Sequence, residues 1–344
     1  MGNKKKILIF NVNWLGDVLF STATIRNIRQ NFPDSFIACI IAPRCYPVLQ
    51  GNPYLDEIII FDEEKEHKSL FGKLKFISYL KKIKFDTVFL LHRSFSRALI
   101  TFLAGIPERI GYYTPKRAWL LTKKTRPPDA NSLHRIDYYL GVIKSAGLKV
   151  EDRHTDFFVN DKDLEFVDKF LNDHGFSEDD FLVGVNPAGN WDPKRWPKKY
   201  FIELVNRLIE EFSAKVVITG GSKDLSLAEE IRAAAKGKVL LACGVFNLKQ
   251  SAVLCRVLNS FITGDTGPLH IANAVGAKNI IALFGPTHPA ITGPVPQDNI
   301  TILQKDVGCK IPCYVVNCKD NRCMKAITPE EVMEKIRHAR AKSL

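Results

Sequence analysis

The run Gly264-Asp-Thr-Gly-Pro-Leu-His270 ends a short β-prone segment, Val257 to Thr263, and opens a small-residue helical pattern near Pro268. A strand, a Gly/Thr turn and a helix start in that order form an anion cradle. Unpaired backbone N–H groups and the positive end of the helix dipole point at one spot. Asp265, Thr266, Gly267 and His270 place polar groups and open backbone at its rim. A second loop, Asn186 to Pro197, holds the adjacent cations Lys194 and Arg195, suited to gripping a diphosphate and stabilising charge on a departing phosphate. Its two tryptophans, Trp191 and Trp196, imply a packing or binding role. Further turns carry Gly220-Gly221 with Asp224, open to a ribose or phosphate, Phe246, placed to flank a nucleobase, and Thr287, another hydroxyl. Far from these, Asp17 follows Gly16 where a first strand turns into a helix. Two readings fit it: a general base for an attacking hydroxyl, or a helix cap.

Such residues need strand ends to stand on, and the sequence supplies them twice. In the first half, Lys6–Phe10, Phe36–Ile41, Glu57–Phe61 and Thr87–Leu91 read as strands, with helical patterns at Val18–Asn31 and Ser69–Lys82 between them. After a charged helix, Asp161–His174, the alternation restarts with strands at Leu182–Val185, Lys215–Thr219, Val239–Leu241, Val257–Thr263 and Asn279–Phe284. Strands alternating with helices imply parallel sheets with crossover helices. The expected fold is α/β: two Rossmann-like, doubly wound domains facing a cleft, where ligands bind at the C-terminal edges of the strands. The expected boundaries are 1–160, a connecting segment 161–180, 181–327 with a Cys-rich segment at 309–323, and a C-terminal helix 328–344. The first strand runs into Asn11-Val-Asn-Trp-Leu-Gly-Asp17, which lacks G-x-G-x-x-G and so argues against a nicotinamide enzyme.

Composition narrows the class. At 344 residues, 46% hydrophobic and 25% charged, the chain suits two globular domains. The apolar run after Lys4-Lys5-Lys6 is too short for a signal-peptide core or a membrane span, which predicts a cytoplasmic protein. The net charge of +12 is concentrated between His92 and Arg126, where eight basic residues meet one acid, Glu108. Arg93, Arg97, Lys116 and Arg117 in this segment suit a polyanionic partner, whether a phosphorylated substrate, an anionic membrane surface or nucleic acid. The aromatic and basic surface motifs of RNA binders are not evident, so nucleic acid ranks last.

With these residues assembled, the chain resembles the family 9 glycosyltransferases, the lipopolysaccharide heptosyltransferases. The resemblance spans nearly the whole chain. It rests on Asn13-Trp-Leu-Gly-Asp17, Ala104-Gly-Ile-Pro-Glu-Arg-Ile-Gly111, Pro187-Ala-Gly189, Lys194-Arg-Trp-Pro197, Gly264 to His270 and Phe284-Gly-Pro-Thr287. Lys194-Arg-Trp-Pro197 and Phe102–Pro107 make it most similar to the type that adds the second heptose. The resemblance implies a GT-B architecture, ADP-L-glycero-β-D-manno-heptose as donor, inversion at the anomeric centre and no required cofactor. It implies Asp17 as the base and Lys194 on the donor phosphates. Arg195, Asp224, Phe246, Asp265, Thr266, Gly267, His270 and Thr287 would bind the donor. Asn13, Arg93, Arg97, Lys116 and Arg117 would face the acceptor, the anionic lipid A–Kdo/heptose core at the inner-membrane surface.

Cys309, Cys313, Cys318 and Cys323 fall within fifteen residues, but their spacing is not the paired C-x2-C of common zinc sites. Structural zinc and four reduced thiols both stay open. Two other functions compete: a GT-B transferase using a UDP- or GDP-sugar, and a non-catalytic sugar-nucleotide-binding protein.

Overall fold

Lys6–Phe10 (β1) is apolar at four consecutive positions, and all four are buried. A strand with no polar face needs cover on both sides, the arrangement of a parallel sheet crossed by helices. The computed structural model describes residues 4–129, 132–177, 179–189, 191–295 and 297–343, and shows that arrangement in each of two units, Met1–Phe158 and Val159–Leu344.

In the first unit β1 leads to α1 (Leu15–Asn31), β2 (Phe36–Ile41), α2 (Tyr46–Leu49), β3 (Glu57–Ile60) and α3 (Leu70–Ile83). Then follow β4 (Thr87–Leu90), α4 (Phe95–Leu103), β5 (Glu108–Tyr112), β6 (Lys123–Thr125) and α5 (Arg135–Lys144). All six strands pair in parallel in the order β3-β2-β1-β4-β5-β6. The chain winds outward from β1 in one direction and from β4 in the other, so the crevice of this sheet lies between their C-terminal ends. Helix α1 is buried from Val18 to Ile28 and packs on α5. Two of its hydroxyls are satisfied within the helix: Ser21 and Thr22 donate to the carbonyls of Val18 and Leu19, three residues back.

The second unit begins with α6 (Asp161–Asp173), β7 (Leu182–Asn186), α7 (Lys198–Phe212), β8 (Lys215–Ile218), α8 (Leu225–Ala233) and β9 (Val239–Leu241). It continues through α9 (Leu248–Val257), β10 (Ser260–Gly264), α10 (Gly267–Ala274), β11 (Ile280–Phe284), α11 (Pro289–Thr292) and β12 (Ile300–Gln304). Helices α12 (Arg322–Lys325) and α13 (Pro329–Ser343) end the chain. The order β12-β11-β10-β7-β8-β9, again all parallel, is the same winding, with the reversal between β7 and β10. The predicted connector is a working part of this unit, since α6 packs on α9 and buries Val167 and Leu171.

Three strands have no counterpart in the sequence reading: β5, β6 and β12. β5 carries the reason on its surface. A side chain at Gly111 would place its Cβ 2.9 Å from the Leu90 carbonyl oxygen and 3.0 Å from a guanidinium nitrogen of Arg117. Glycine is what lets that arginine pass, and a glycine in a five-residue stretch hides the strand from pattern reading. Among the described residues no helix is long and apolar enough to cross a membrane.

Candidate active site

The reversal between β7 and β10 sets the loop after β7 beside the turn after β10, which brings Lys194 and Asp265 together although 71 residues separate them. The Lys194 ammonium donates to Asp265 Oδ2 at 2.7 Å and to the Asp265 carbonyl at 3.2 Å. The Thr292 hydroxyl reaches the same carboxylate oxygen at 3.4 Å, and His270 Nε2 lies 3.6 Å from the other oxygen. Burial alone would raise the Asp265 pKa, but the His270 ring and the Lys194 charge outweigh it and hold the carboxyl well below the usual carboxylate range. Asp265 is therefore a buried anion that fixes the lysine and the histidine, rather than an exposed wall of the cradle. An ammonium has three donors. Two are spent on Asp265, leaving one for a ligand.

The cradle itself is open. Thr266 caps α10 with extended backbone, Gly267 is exposed, and a Cβ at Gly267 would meet nothing within 4 Å. Pro268 fills an early helical position that needs no N–H. Trp191 lies 5.9 Å from the Lys194 ammonium, a cation–π contact, and its indole N–H is buried without a partner among the described residues. The Thr287 hydroxyl is in the same condition, with its backbone held by Gln304 at 2.8 Å. Buried donors normally have acceptors, so both mark places where a ligand oxygen would fit.

The neighbouring candidates have local duties. Trp196 is core: its indole N–H donates to the Ile327 carbonyl at 2.9 Å and its ring packs on Phe201. Arg195 donates to the Gly189 carbonyl and pairs with Asp192, staying half-exposed; Asn190, in the same loop, lies outside the described residues. Asp224 is buried and accepts the Gly221 N–H at 2.9 Å, so one of its carboxylate oxygens closes the turn. Phe246 is half-buried and packs edge-on against Phe170 and Phe166 of α6.

In the first unit, Asp17 is the third residue of α1, whose N-cap is Trp14, so the carboxylate does not cap the helix. It is half-buried and accepts a 2.7 Å hydrogen bond from the Tyr139 hydroxyl of α5. The carboxylate raises the Tyr139 pKa far above its ordinary value, after burial itself, so the tyrosine stays a donor. Tyr139 was not legible: it lies 122 residues from Asp17, and only the packing of α5 on α1 joins them.

The basic segment does not form one exposed patch. Arg97 is buried and donates to the Asn11 carbonyl at 2.7 Å and to Glu63 at 2.9 Å, and Glu63 also accepts from Asn13. Arg117 is fully buried, with its guanidinium on the carbonyls of Tyr112, His92 and Ser94. Both arginines tie strand ends together, so their guanidinium groups are engaged with the protein itself. Arg93 and Lys116 remain exposed. Between the buried cations sits His92, pushed down to about 4 by burial and then by Arg97, against an opposing Glu63.

Known proteins decide what this pair of sites belongs to. The sequence profile of glycosyltransferase family 9 (heptosyltransferase) matches residues 73–322. The chain belongs to this family. It is a glycosyltransferase of GT-B fold. The lipopolysaccharide heptosyltransferase 2 of Escherichia coli (strain K12) is 27% identical over 302 residues, covering 84% of this chain and 85% of that one. A solved family 9 glycosyltransferase from Veillonella parvula is 25% identical with a TM-score of 0.88, covering 98% of both chains. The solved E. coli ADP-heptose lps heptosyltransferase II has a TM-score of 0.80 at 24% identity over 98% of this chain and 99% of that one, and shares the fold.

The transferase keeps its four late cysteines as free thiols around one small pocket, with Pro193, Gly285 and Pro286 also in its wall. Among the described residues no three His, Cys, Asp or Glu side chains stand close enough together to hold a metal ion. The four thiols line the back of the loops that present Lys194 and Thr287.

Proposed function

We propose that this transferase moves a heptose from ADP-L-glycero-β-D-manno-heptose to a sugar hydroxyl of the lipopolysaccharide inner core, inverting the anomeric centre. The names of the E. coli relatives supply the donor and acceptor class. The observation that carries the reading is the Lys194–Asp265 pair at the β7/β10 reversal, beside the open N-terminus of α10.

The second unit holds the donor. Lys194, fixed by Asp265, gives its remaining N–H to the diphosphate, and the first N–H groups of α10 take another phosphate oxygen. Thr287 and Trp191 offer their buried donors to the sugar or the phosphates. In the first unit, Tyr139 occupies one oxygen of Asp17 and leaves the other to accept a proton. The acceptor hydroxyl loses that proton to Asp17, its oxygen bonds to the anomeric carbon, and the bond from that carbon to the ADP oxygen breaks on the opposite face. The electron pair goes to ADP, where Lys194 and the helix N-terminus meet the new charge. Preorganised donors of this kind contribute about 2.7–4 kcal/mol each, so the leaving group can be stabilised by the chain itself. The acceptor carries lipid A, which would bring this peripheral enzyme to the inner-membrane surface.

The test is an assay with purified protein, ADP-heptose and a panel of truncated core acceptors, reading ADP release and the anomeric configuration of the product. ADP release with acceptor, and none with UDP- or GDP-sugars, is expected. Turnover on a UDP- or GDP-sugar alone, or retained configuration, would reject the reading. Zinc on Cys309, Cys313, Cys318 and Cys323 would require their loops to draw together; elemental analysis of protein purified without chelator decides between zinc and four thiols.

A further inference from the structure

Helix α3 meets the core of the first unit with Phe76 and Leu80, which are buried, and so has one apolar face accounted for. It carries a second. Leu70 is 75% exposed, Phe71 78% and Leu74 50%, together on the first turns of the opposite face. Scattered single apolar side chains on a surface are ordinary, but three adjacent ones on a helix whose other face is already packed call for an occupant.

The charge on the same helix says which kind. Its sequence, LFGKLKFISYLKKI, has four lysines and no acid, and Lys75, Lys81 and Lys82 are exposed. An interface with another protein would normally bury its apolar centre behind a rim of both signs. Acids do lie nearby, since Glu66 packs on the first turn at Gly72 and Glu57 accepts from Tyr79. The exposed charges of the helix itself are all lysines, and an apolar strip with such a face is the composition of a helix that lies in the headgroup layer of an anionic bilayer.

A second exposed apolar group lies at the other end of the same helix layer. Both α3 and α4 carry the chain the same way across the sheet, and they pack against each other. At the end of α4, Phe102 and Leu103 are exposed, and Phe102 meets Trp119, itself 62% exposed, edge-on at 5.7 Å. The α4 end is flanked by exposed Lys116, Lys123 and Lys124, of which Lys123 pairs with Glu108. Aromatic side chains beside lysines are suited to the headgroup level, where one end is apolar and the other wet.

We propose that the α3–α4 face of the first unit, centred on Leu70, Phe71 and Leu74, docks on an anionic phospholipid surface. This rests on the proposed function only in giving the docking a purpose: a lipid-anchored acceptor would be presented to the unit that carries Asp17. The surface chemistry stands without it.

The experiment is co-sedimentation of the full-length protein with phosphatidylcholine vesicles, with and without phosphatidylglycerol. Binding should require the anionic lipid and weaken at about 0.5 M salt, where exposed charges are screened. A Leu70→Ser/Phe71→Ser/Leu74→Ser variant should lose binding about tenfold or more while keeping the wild-type melting temperature, because all three side chains are at the surface. A Lys75→Glu/Lys81→Glu/Lys82→Glu variant should lose the preference for anionic lipid. Equal binding by wild type and the serine variant would overturn the proposal, as would equal binding to neutral vesicles. A wild-type dimer that the serine variant converts to monomer, by light scattering, would also overturn it, giving the face to a second copy. In parallel, ADP release on a deacylated, soluble acceptor should be the same in wild type and the serine variant. If wild type shows no such release yet binds anionic vesicles, the proposed function fails and the docking face stands.

Discussion

The two sheets wind in the same order, and each reverses at one place, yet the two reversals are built from opposite materials. At β1/β4 two cations are structural, Arg97 and Arg117, buried on backbone carbonyls and Glu63, while Arg93 stays exposed and an acid, Asp17, held by Tyr139, is left half-exposed. At β7/β10 the acid is structural: Asp265 is buried, and the group it presents is a cation, Lys194. A fold fixes where a ligand can sit, but the buried partner decides which charge faces it. In the proposed reaction the anion takes up a proton, and the cation with the helix N-terminus holds a diphosphate.

The contrast breaks most severely at its acid end. Asp17→Asn keeps the shape and the Tyr139 contact but removes the proton acceptor, so transfer should fall about 10³–10⁴-fold. ADP binding, measured by calorimetry, should be unchanged because Asp17 belongs to the first unit. Transfer within tenfold of wild type would remove Asp17 as base. At the cation end, Lys194→Ala should lower kcat/KM about 10²–10³-fold, the worth of one preorganised donor, and weaken ADP binding as well. A loss of transfer with ADP affinity untouched would move Lys194 away from the diphosphate.

The buried arginines sharpen the comparison in stability rather than rate. Arg117→Met removes the guanidinium donors to the carbonyls of Tyr112 and His92, while Ser94 keeps the Ala98 N–H, and should destabilise by about 2–4 kcal/mol in urea unfolding. Lys116→Met, at an exposed neighbour in the same basic segment, should change stability by less than about 0.5 kcal/mol. Equal effects from the two would mean that Arg117 is not structural.

These roles show what the sequence could and could not disclose. The parallel architecture and the two loops that carry Lys194 and Asp265 were legible because they are local: an apolar run, then a turn, then a helix start. The Lys194–Asp265 pair was legible as two loops, but the direction of dependence between them was not, since burial decides it. Arg93, Arg97 and Arg117 read alike as surface cations, yet a guanidinium that caps carbonyls at strand ends has the same letter as one that grips phosphate. Asp224 poses the same ambiguity, as a carboxylate in a tight turn can close the turn itself. Tyr139 gave no signal because α1 and α5 meet only in the folded unit.

The smallest effect is also the one that separates the two reversals by pH. His92 is pushed from its ordinary 6.5 down to about 4, by burial and then by Arg97. A base whose folded pKa is lowered binds fewer protons folded than unfolded between those values. Its stabilising contribution is therefore complete above about 6.5 and is lost as pH falls towards about 4. Asp265, a carboxyl held below its ordinary value by His270 and Lys194, contributes in full above about 3.9 and loses that contribution only at more acid pH. Acid should thus weaken the first unit before the second. In His92→Asn the side-chain oxygen can still accept the Ser94 N–H that the imidazole accepts at 3.0 Å, so the turn is kept and the titration removed. Melting temperatures from pH 7.5 to 3 should fall less steeply between about 6.5 and 4 in this variant than in wild type, with the profiles running parallel below. If the two profiles have the same slope in that window, burial beside Arg97 does not keep His92 neutral, and the contrast between the two reversals is one of geometry alone.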